Sequence, residues 1–567
     1  MAVEILWKQP RAEQRGSAAA WTALKPRLSA PAWTAIGVTA SFIALTCWWL
    51  TQDRSIPIFD AGDHLEVALQ FHAMLSSGDL LGPLRFTWQY PPLGELIGAL
   101  SAFVGGVNVA SPIIGENVVF VSLLSLGCYQ TGRLLFDARA GMLACVFALG
   151  SPLLISMFHV FMLDAPETAL VAVSLWLILA SERFARTNIA ALAGLACGVG
   201  LLIKVQFPFF VVGVVLAALL AGGWRNRRGV LAFAAVTLVV GAPWYIAHGS
   251  ELQTILSFAG VTPEANAGNV PPTWSLSGLS WYFWSILNSE LLAFLFAFLL
   301  VGAIWMIAVQ LLRRRSASRP PSLSFDAQRQ LLCGALVAWL GITLTRHHDV
   351  RYALPLLPYL AVIATGWISR LPRSGRLLGG GALVLVALAN TLGITFGVGG
   401  TAAIALADRP PATEALPDRI VLFSNSGFLA GAPKRDGDVL GLLRRLHEQG
   451  VDTVLLRTSE GEQPDFSYEG VIPLATIAHL SSQVEVLESS SSGTQALDRT
   501  AITSTAVTLI HRAVLSGEPP PCTRLSDGTG VWVARRAQAS RRLELYCPTS
   551  DPSYYGTVSS TGQPLDQ

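Results

Sequence analysis

Charge is what this sequence has little of. Of its 567 residues, 13% are Asp, Glu, Lys or Arg, while 52% are hydrophobic, and the mean hydropathy is +0.50. Soluble globular chains carry about 25% charged residues. The shortfall excludes a soluble enzyme built on one large core and fits many helices whose flanks face lipid. The formal net charge of +2 says little by itself, and no nucleic-acid partner is expected. Cysteine is scarce and unpatterned. There are seven, with no CxxC pair and no Cys/His spacing suited to a metal. No metal ligand set and no firm cofactor is expected, although a divalent cation is left open. Cys47, Cys128, Cys145, Cys197 and Cys333 sit in apolar runs and read as small core residues. Cys522 and Cys547 lie in a polar region near the C-terminus, where a disulfide in an oxidising compartment and two separate thiols are both open. A signal-peptide cleavage site is missing as well. Lys8, Arg11, Arg15, Lys25 and Arg27 precede the apolar run Trp33 to Leu50, which ends on polar residues and reads as a retained anchor.

What is present is a series of apolar stretches. A helix needs about 20 mostly apolar residues to cross a bilayer. Eleven candidates follow: 33–50, 113–131, 139–158, 165–181, 189–203, 207–223, 230–246, 286–312, 330–345, 353–368 and 377–396. Residues 92–107 are shorter and glycine-rich and read as a juxtamembrane or re-entrant helix. With residues 1–32 placed in the cytoplasm, strict alternation puts the arginine clusters near 133–139, 183–186, 225–228, 313–319 and 370–376 on the same side. Of 25 Lys and Arg before residue 400, only Arg54, Arg85, Lys204, Arg346 and Arg351 then fall outside, as the positive-inside rule demands. The expected architecture is an α-helical polytopic membrane protein of 11 to 12 transmembrane helices. Its membrane module runs over 33–399, with long outer loops at 52–112 and 248–284. The expected location is the cytoplasmic (inner) membrane, with the C-terminal region outside.

From about residue 400 the apolar runs shorten. Ile420–Phe423 and Thr453–Leu456 read as buried strands, and Val439–Gln449 between them has helical spacing closed by Gly450. This is a β-α-β pattern. Residues 530–534 and 543–546 are further strand candidates, and the Ser-rich stretch around 489–494 is a loop. A soluble α/β domain is expected over 400–567.

Candidate chemistry collects in the outward segments. The first loop carries Asp60, Asp63, His64 and Glu66 at the start of an amphipathic helix running to about Ser76, with Asp63 at its N-cap. An isolated Asp there would be a plain cap; three neighbouring polar residues just above the membrane favour a site. Trp88-Gln-Tyr90-Pro91-Pro92 is a rigid extended turn, either a loop brace or a pocket wall. Asp164 opens another span, with Pro166 in its first turn. Lys204 and Arg351 are outward cations, against the trend. They can snorkel, pair with these carboxylates, or hold an anion such as phosphate. His347, His348 and Asp349 precede Arg351; adjacent residues seldom point at one ion, so a metal there is disfavoured.

In these residues the chain resembles the GT-C membrane glycosyltransferases of the glycosyltransferase family 39 type, which include protein O-mannosyltransferases and aminoarabinose transferases of lipid A. The likeness runs in order over roughly the first 370 residues. It comprises the acidic first loop and helix (Asp63 to Gly78), the aromatic-Pro-Pro-Leu turn (Tyr90 to Leu93), Leu163 to Pro166, Gly198 to Lys204, Pro243-Trp244, and Arg351-Tyr352 to Pro355. The resemblance implies transfer of a sugar from a polyprenyl-phosphate donor to an acceptor hydroxyl on a glycan, lipid or protein. It implies Asp63 as general base or acceptor-orienting residue, Asp164 as a second carboxylate, and Lys204 and Arg351 at the lipid phosphate, with Tyr352, Tyr90, His64, Glu66 and Asp60 lining the substrate site. His64 stands where many members have Glu, and Tyr90 where many have His or Lys. The competing expectation is a lipid transporter or flippase. Transporters place ionisable groups near the midplane and often repeat their halves; here the charges gather at one face and no repeat is seen.

Overall fold

The computed structural model describes residues 29–58, 60–250, 274–315, 323–345, 348–406, 419–434, 439–448, 453–459, 468–487, 506–511, 531–536, 543–546 and 555–558. The chain is a multi-pass helical membrane protein. The membrane part is formed by α1 (Ala30–Gln52), α2 (Asp60–Ser76), α3 (Leu93–Gly105), α4 (Ala110–Leu135), α5 (Ala138–Leu149), α6 (Pro152–Phe158), α7 (Asp164–Ala180), α8 (Thr187–Leu201), α9 (Phe207–Leu220) and α10 (Arg227–Ala247). It continues with α11 (Leu276–Ser285), α12 (Leu292–Arg315), α13 (Leu323–Thr343), α14 (Val350–Arg370) and α15 (Arg373–Phe396). Each of the eleven expected stretches is helical. Among the described residues six helices are individually long and apolar enough to cross a membrane: α1, α4, α10, α12, α14 and α15. Counted as one span, the pair α5 and α6, bent by 66° at a break, gives a seventh. At 15 and 14 residues, α8 and α9 rise roughly 21–23 Å, short of a ~30 Å hydrocarbon core on their own.

The helices are distinguished by what they touch. Every residue of α7 is buried, so it is the central post of the bundle. By contrast α10 leaves Leu231, Leu238 and Val239 exposed by 60–75%, the pattern of a lipid-facing flank. Small residues allow the closest approach. A Cβ on Gly127 of α4 would stand 2.4 Å from the Ala172 carbonyl carbon of α7, so only glycine lets these two backbones meet. Cys128, Cys145 and Cys197 are core residues as expected; Cys47 is half-buried and Cys333 is exposed on α13, contrary to the core reading. Cys522 and Cys547 lie outside the described residues.

The first loop folds over one end of this bundle. Its helix α2 starts at Asp60, three residues before the expected cap, so Asp63 sits in the first turn rather than at the N-cap. Acidic residues in that turn suit the positive end of the helix dipole. Gly78, at φ +90°, closes the helix, a conformation that costs glycine nothing. One face of α2, with Leu65, Ala68 and Leu69, packs on Ile113, Phe161 and Ile477; another, with Val67 and Phe71, packs on Ala99 of α3.

Beyond α15 come β1 (Ala402–Ala405), β2 (Arg419–Phe423), α16 (Val439–Glu448), β3 (Thr453–Ser459), α17 (Tyr468–Ile477), β4 (Ser481–Leu487), β5 (Ala506–His511), β6 (Val531–Arg536), β7 (Leu543–Tyr546) and β8 (Tyr555–Val558). The expected β-α-β unit is not formed by β2, α16 and β3. Instead β2 pairs antiparallel with β1, while β3 pairs parallel with β4 and β5 in a sheet of order β4-β3-β5-β6-β7-β8. The crossover unit is β3-α17-β4. The reason is docking: the Val421 amide donates to Asn288 Oδ1 at 2.8 Å, and Asn288 Nδ2 donates to the Arg419 carbonyl at 3.2 Å, holding β2 on the membrane part. Past β2 the chain straps the same end of the bundle. Leu429 and Ala430 amides donate to Ser156 Oγ, Trp49 Nε1 donates to the Gly431 carbonyl, and the Lys434 amide donates to Asp53 Oδ1 at 2.8 Å.

Candidate active site

Five segments meet at the strapped end of the bundle. Asp164 and Glu167 occupy the first turn of α7. The turn after α8 carries Lys204 and is fixed from two sides: the Leu93 amide donates to the Leu202 carbonyl at 3.0 Å, and Tyr245 Oη donates to the Leu201 carbonyl at 2.7 Å. The first of these bonds seats the Tyr90-Pro91-Pro92 turn beside Lys204. Asp349 caps the tight first turn of α14 by accepting from the Arg351 amide at 3.0 Å.

Lys204 Nζ donates to Asp164 Oδ1 at 2.6 Å, with side chains 5% and 1% exposed. Arg351 Nη1 meets Asp60 Oδ2 at 2.7 Å, and its Nε meets Asp349 Oδ2 at 2.9 Å. The ring of Tyr352 lies between the two cations, 5.0 Å from Lys204 Nζ and 5.6 Å from Arg351 Cζ, within the range of cation–π attraction. On the α2 side His64 Nδ1 pairs with Glu95 Oε1 at 2.8 Å, both residues being buried. The His64 ring meets Tyr90 edge-on at 4.9 Å and Trp88 at 6.4 Å. Burial pushes the Asp60 carboxyl upward, but the Arg351 guanidinium outweighs it and, with Lys204 adding to it, holds Asp60 below the usual carboxylate range. Asp60 is therefore an anion at neutral pH. The ion pairs do not exhaust the cations. An ammonium has three N–H donors and a guanidinium five, so Lys204 and Arg351 keep donors for an anion.

Seven expected site residues are thus brought together: Asp60, His64, Tyr90, Asp164, Lys204, Arg351 and Tyr352. Glu66 is turned elsewhere; it accepts from Gln70 at 3.0 Å and from Thr476 of α17 at 3.1 Å. Asp63 is half-buried three residues beyond Asp60, and the carboxylate that α2 delivers to Arg351 is Asp60. His348 packs against Trp281 and Tyr282, with ring centres 5.4 and 5.3 Å away; His347 lies outside the described residues. Among the described residues no three His, Cys, Asp or Glu side chains group as a metal site. Sequence reasoning missed Glu95 and the anchoring role of Asp349. The available signals were a lone carboxylate within the apolar run Leu93 to Val104, and an Asp two residues before an outward Arg. Below the site, an apolar cleft of about 300 Å³ opens between α7 and α8, lined by Leu170, Val173, Trp176, Ala196 and Val199 among others.

Residues 89–246, which hold Tyr90, Glu95, Asp164 and Lys204, match the family described as dolichyl-phosphate-mannose-protein mannosyltransferase. No protein of curated function matches the chain. Among solved structures, ArnT from Cupriavidus metallidurans in the apo state superposes with a TM-score of 0.53 at 15% identity, over 85% of this chain and 94% of that one. ArnT from the same organism bound to undecaprenyl phosphate gives 0.44 at 18% identity over 64% of this chain, which spans 65% of that structure, just under two thirds. At such identities the likeness to the apo protein is one of fold. The chain thus shares the fold of that apo protein, and its residues 89–246 are similar to the mannosyltransferase family.

Proposed function

We propose that the protein moves a sugar from a polyprenyl-phosphate donor to an acceptor hydroxyl on a glycan, lipid or protein, at the outer face of the cytoplasmic membrane. The observation that carries this reading is the cation pair Lys204 and Arg351, bridged by the Tyr352 ring and flanked by Asp60. A departing lipid phosphate develops negative charge, and fixed cations in a site sheltered from water stabilise it. Arg351 presents a planar fork to phosphate oxygens and Lys204 a point charge. Asp60, anionic beside them, accepts a hydrogen bond from the acceptor hydroxyl and aims it at the sugar. Asp164 and Asp349 hold the two cations in place. The apolar cleft offers the donor tail a seat, since Leu170 and Val199 stand six and five residues along α7 and α8 from Asp164 and Lys204.

The outer-face assignment rests on the arginine distribution, which puts the site end opposite the basic clusters. A flippase is the second reading; its charges belong near the middle of the bilayer, whereas these lie at helix ends. Mass spectrometry of glycolipids and envelope glycans in a deletion strain tests the proposal. A glycan or lipid lacking one sugar is expected, restored by the unaltered gene and not by Arg351→Gln. Unchanged glycans in the deletion strain would end this reading.

A further inference from the structure

The carboxylate at Arg351 is a poor final home for a proton. Asp60 is bound to a guanidinium at 2.7 Å, and Arg351 holds it below the ordinary carboxylate range against the upward push of burial. A base works best when its conjugate acid titrates near the working pH, and an imidazole ordinarily does so near neutrality.

His64 is four residues along α2 from Asp60, so the two lie on one face with Cβ atoms roughly 5–6 Å apart. Glu95 is fully enclosed; its Oε1 meets His64 Nδ1 at 2.8 Å and its Oε2 has no partner among the described residues. An ionised Glu95 at that distance takes a hydrogen from Nδ1, the tautomer that leaves the Nε2 lone pair free to accept. Among the described residues Nε2 takes part in no hydrogen bond, and it is not among the sealed unpartnered atoms. The edges of Tyr90 and Trp88 hold the ring in this pose.

We infer that His64, oriented by Glu95, takes the proton of the acceptor hydroxyl during sugar transfer. This rests on the transferase reading and adds a catalytic residue, His64, and a positioning residue, Glu95. The acceptor oxygen forms a bond to the anomeric carbon while the bond from that carbon to the phosphate oxygen breaks. The released pair of electrons stays on the lipid phosphate beside Lys204 and Arg351. The acceptor proton passes to His64 Nε2, and the imidazolium is balanced by Glu95. No co-reactant is needed.

The experiment has two arms on the full chain in detergent or native membranes. Nitrogen-15 spectra of the histidine-labelled protein, with His64→Gln assigning the signal, should show the Nδ1–H tautomer at His64, lost or mixed in Glu95→Gln and kept in Glu95→Asp. A His64 signal of the opposite tautomer, or one indifferent to Glu95→Gln, overturns the pair. In the second arm, release of labelled sugar from synthetic polyprenyl-phosphate mannose is followed in membranes of the native host. His64→Gly should lose about 10²–10³-fold in kcat with little change in donor KM. Added imidazole should then restore at least about tenfold. Retained kcat in His64→Gly overturns the role, and so does a loss that imidazole leaves untouched while Glu95→Gln keeps full turnover. If the unaltered chain moves no sugar from any labelled polyprenyl-phosphate hexose or pentose, the transferase reading itself fails, whatever the tautomer.

Discussion

At one end of the bundle Lys204 and Arg351 have side chains 5% and 15% exposed and meet carboxylates at 2.6–2.9 Å. At the other end Arg183 and Arg186 are 36% and 32% exposed, and their partners Asp326 and Glu182 stand at 3.6 and 3.9 Å. The second arrangement is what solvated charges do, and such pairs contribute about 0–1 kcal/mol. The first is costly. Burying an ion costs several kcal/mol before its partner repays any of it, and apolar residues of the same size are often as stable. That cost falls on Lys204 and Asp164, enclosed on both sides, whereas Arg351 meets carboxylates that stay 35% and 22% exposed; under the proposed function it is the cost of holding a charged substrate.

The largest effect that would test this contrast is at Lys204. Lys204→Ala leaves the buried Asp164 without its cation, and should cost about 3–5 kcal/mol as well as transfer. Thermal unfolding in detergent measures the first and labelled-sugar release the second. The double variant Lys204→Met, Asp164→Leu should recover most of the stability and none of the transfer. If transfer returns with stability, the pair is structural and the contrast between the two ends dissolves.

Arg351→Gln comes next. The site is partly open here and Asp349 still caps the turn, so folding should survive. Transfer should fall about 10²–10³-fold, the size expected for one lost donor to a developing negative charge. Full activity with unaltered donor KM would remove Arg351 from the phosphate.

The contrast can also be sharpened within α2. Asp60→Asn should reduce transfer about 10²-fold or more, and Asp63→Asn by less than about tenfold, because Asp60 is the carboxylate bonded to Arg351. The reverse order in a donor-transfer assay would restore Asp63 as the acting residue. This choice shows where sequence stopped being informative. The spans were legible because lipid demands runs of apolar residues, and the ends were legible because arginines collect on one side. Lys204, Arg351 and Asp164 stood out because each broke that trend or opened a span. Asp60 and Asp63 both sit at the start of one amphipathic pattern, and the spacing to Gly78 favours Asp63 over Asp60. The bond that favours Asp60 in the structure comes from Arg351, almost 300 residues away in the chain. Glu95 was hidden for the same reason. Its partner His64 is 31 residues upstream, and no periodicity joins a helix to the turn that seats it. In the C-terminal part, β2 and β3 had the strand pattern but not the shared sheet, because strand partners are chosen by docking, here on Asn288.

The smallest effect is expected at the opposite end. Arg186 reaches Glu182 at 3.9 Å with both side chains about one-third exposed, and solvent screens such a pair. Arg186→Ala should change unfolding free energy by no more than about 0.5 kcal/mol and leave sugar transfer as it is. It should still matter for insertion when combined with Arg183→Ala, because positive charge beside a span biases which side it stays on. A reporter fused after β1 reads that bias directly. If the single variant cripples transfer while insertion stays normal, charge at this end acts on the reaction, and the division of labour between the two ends is wrong.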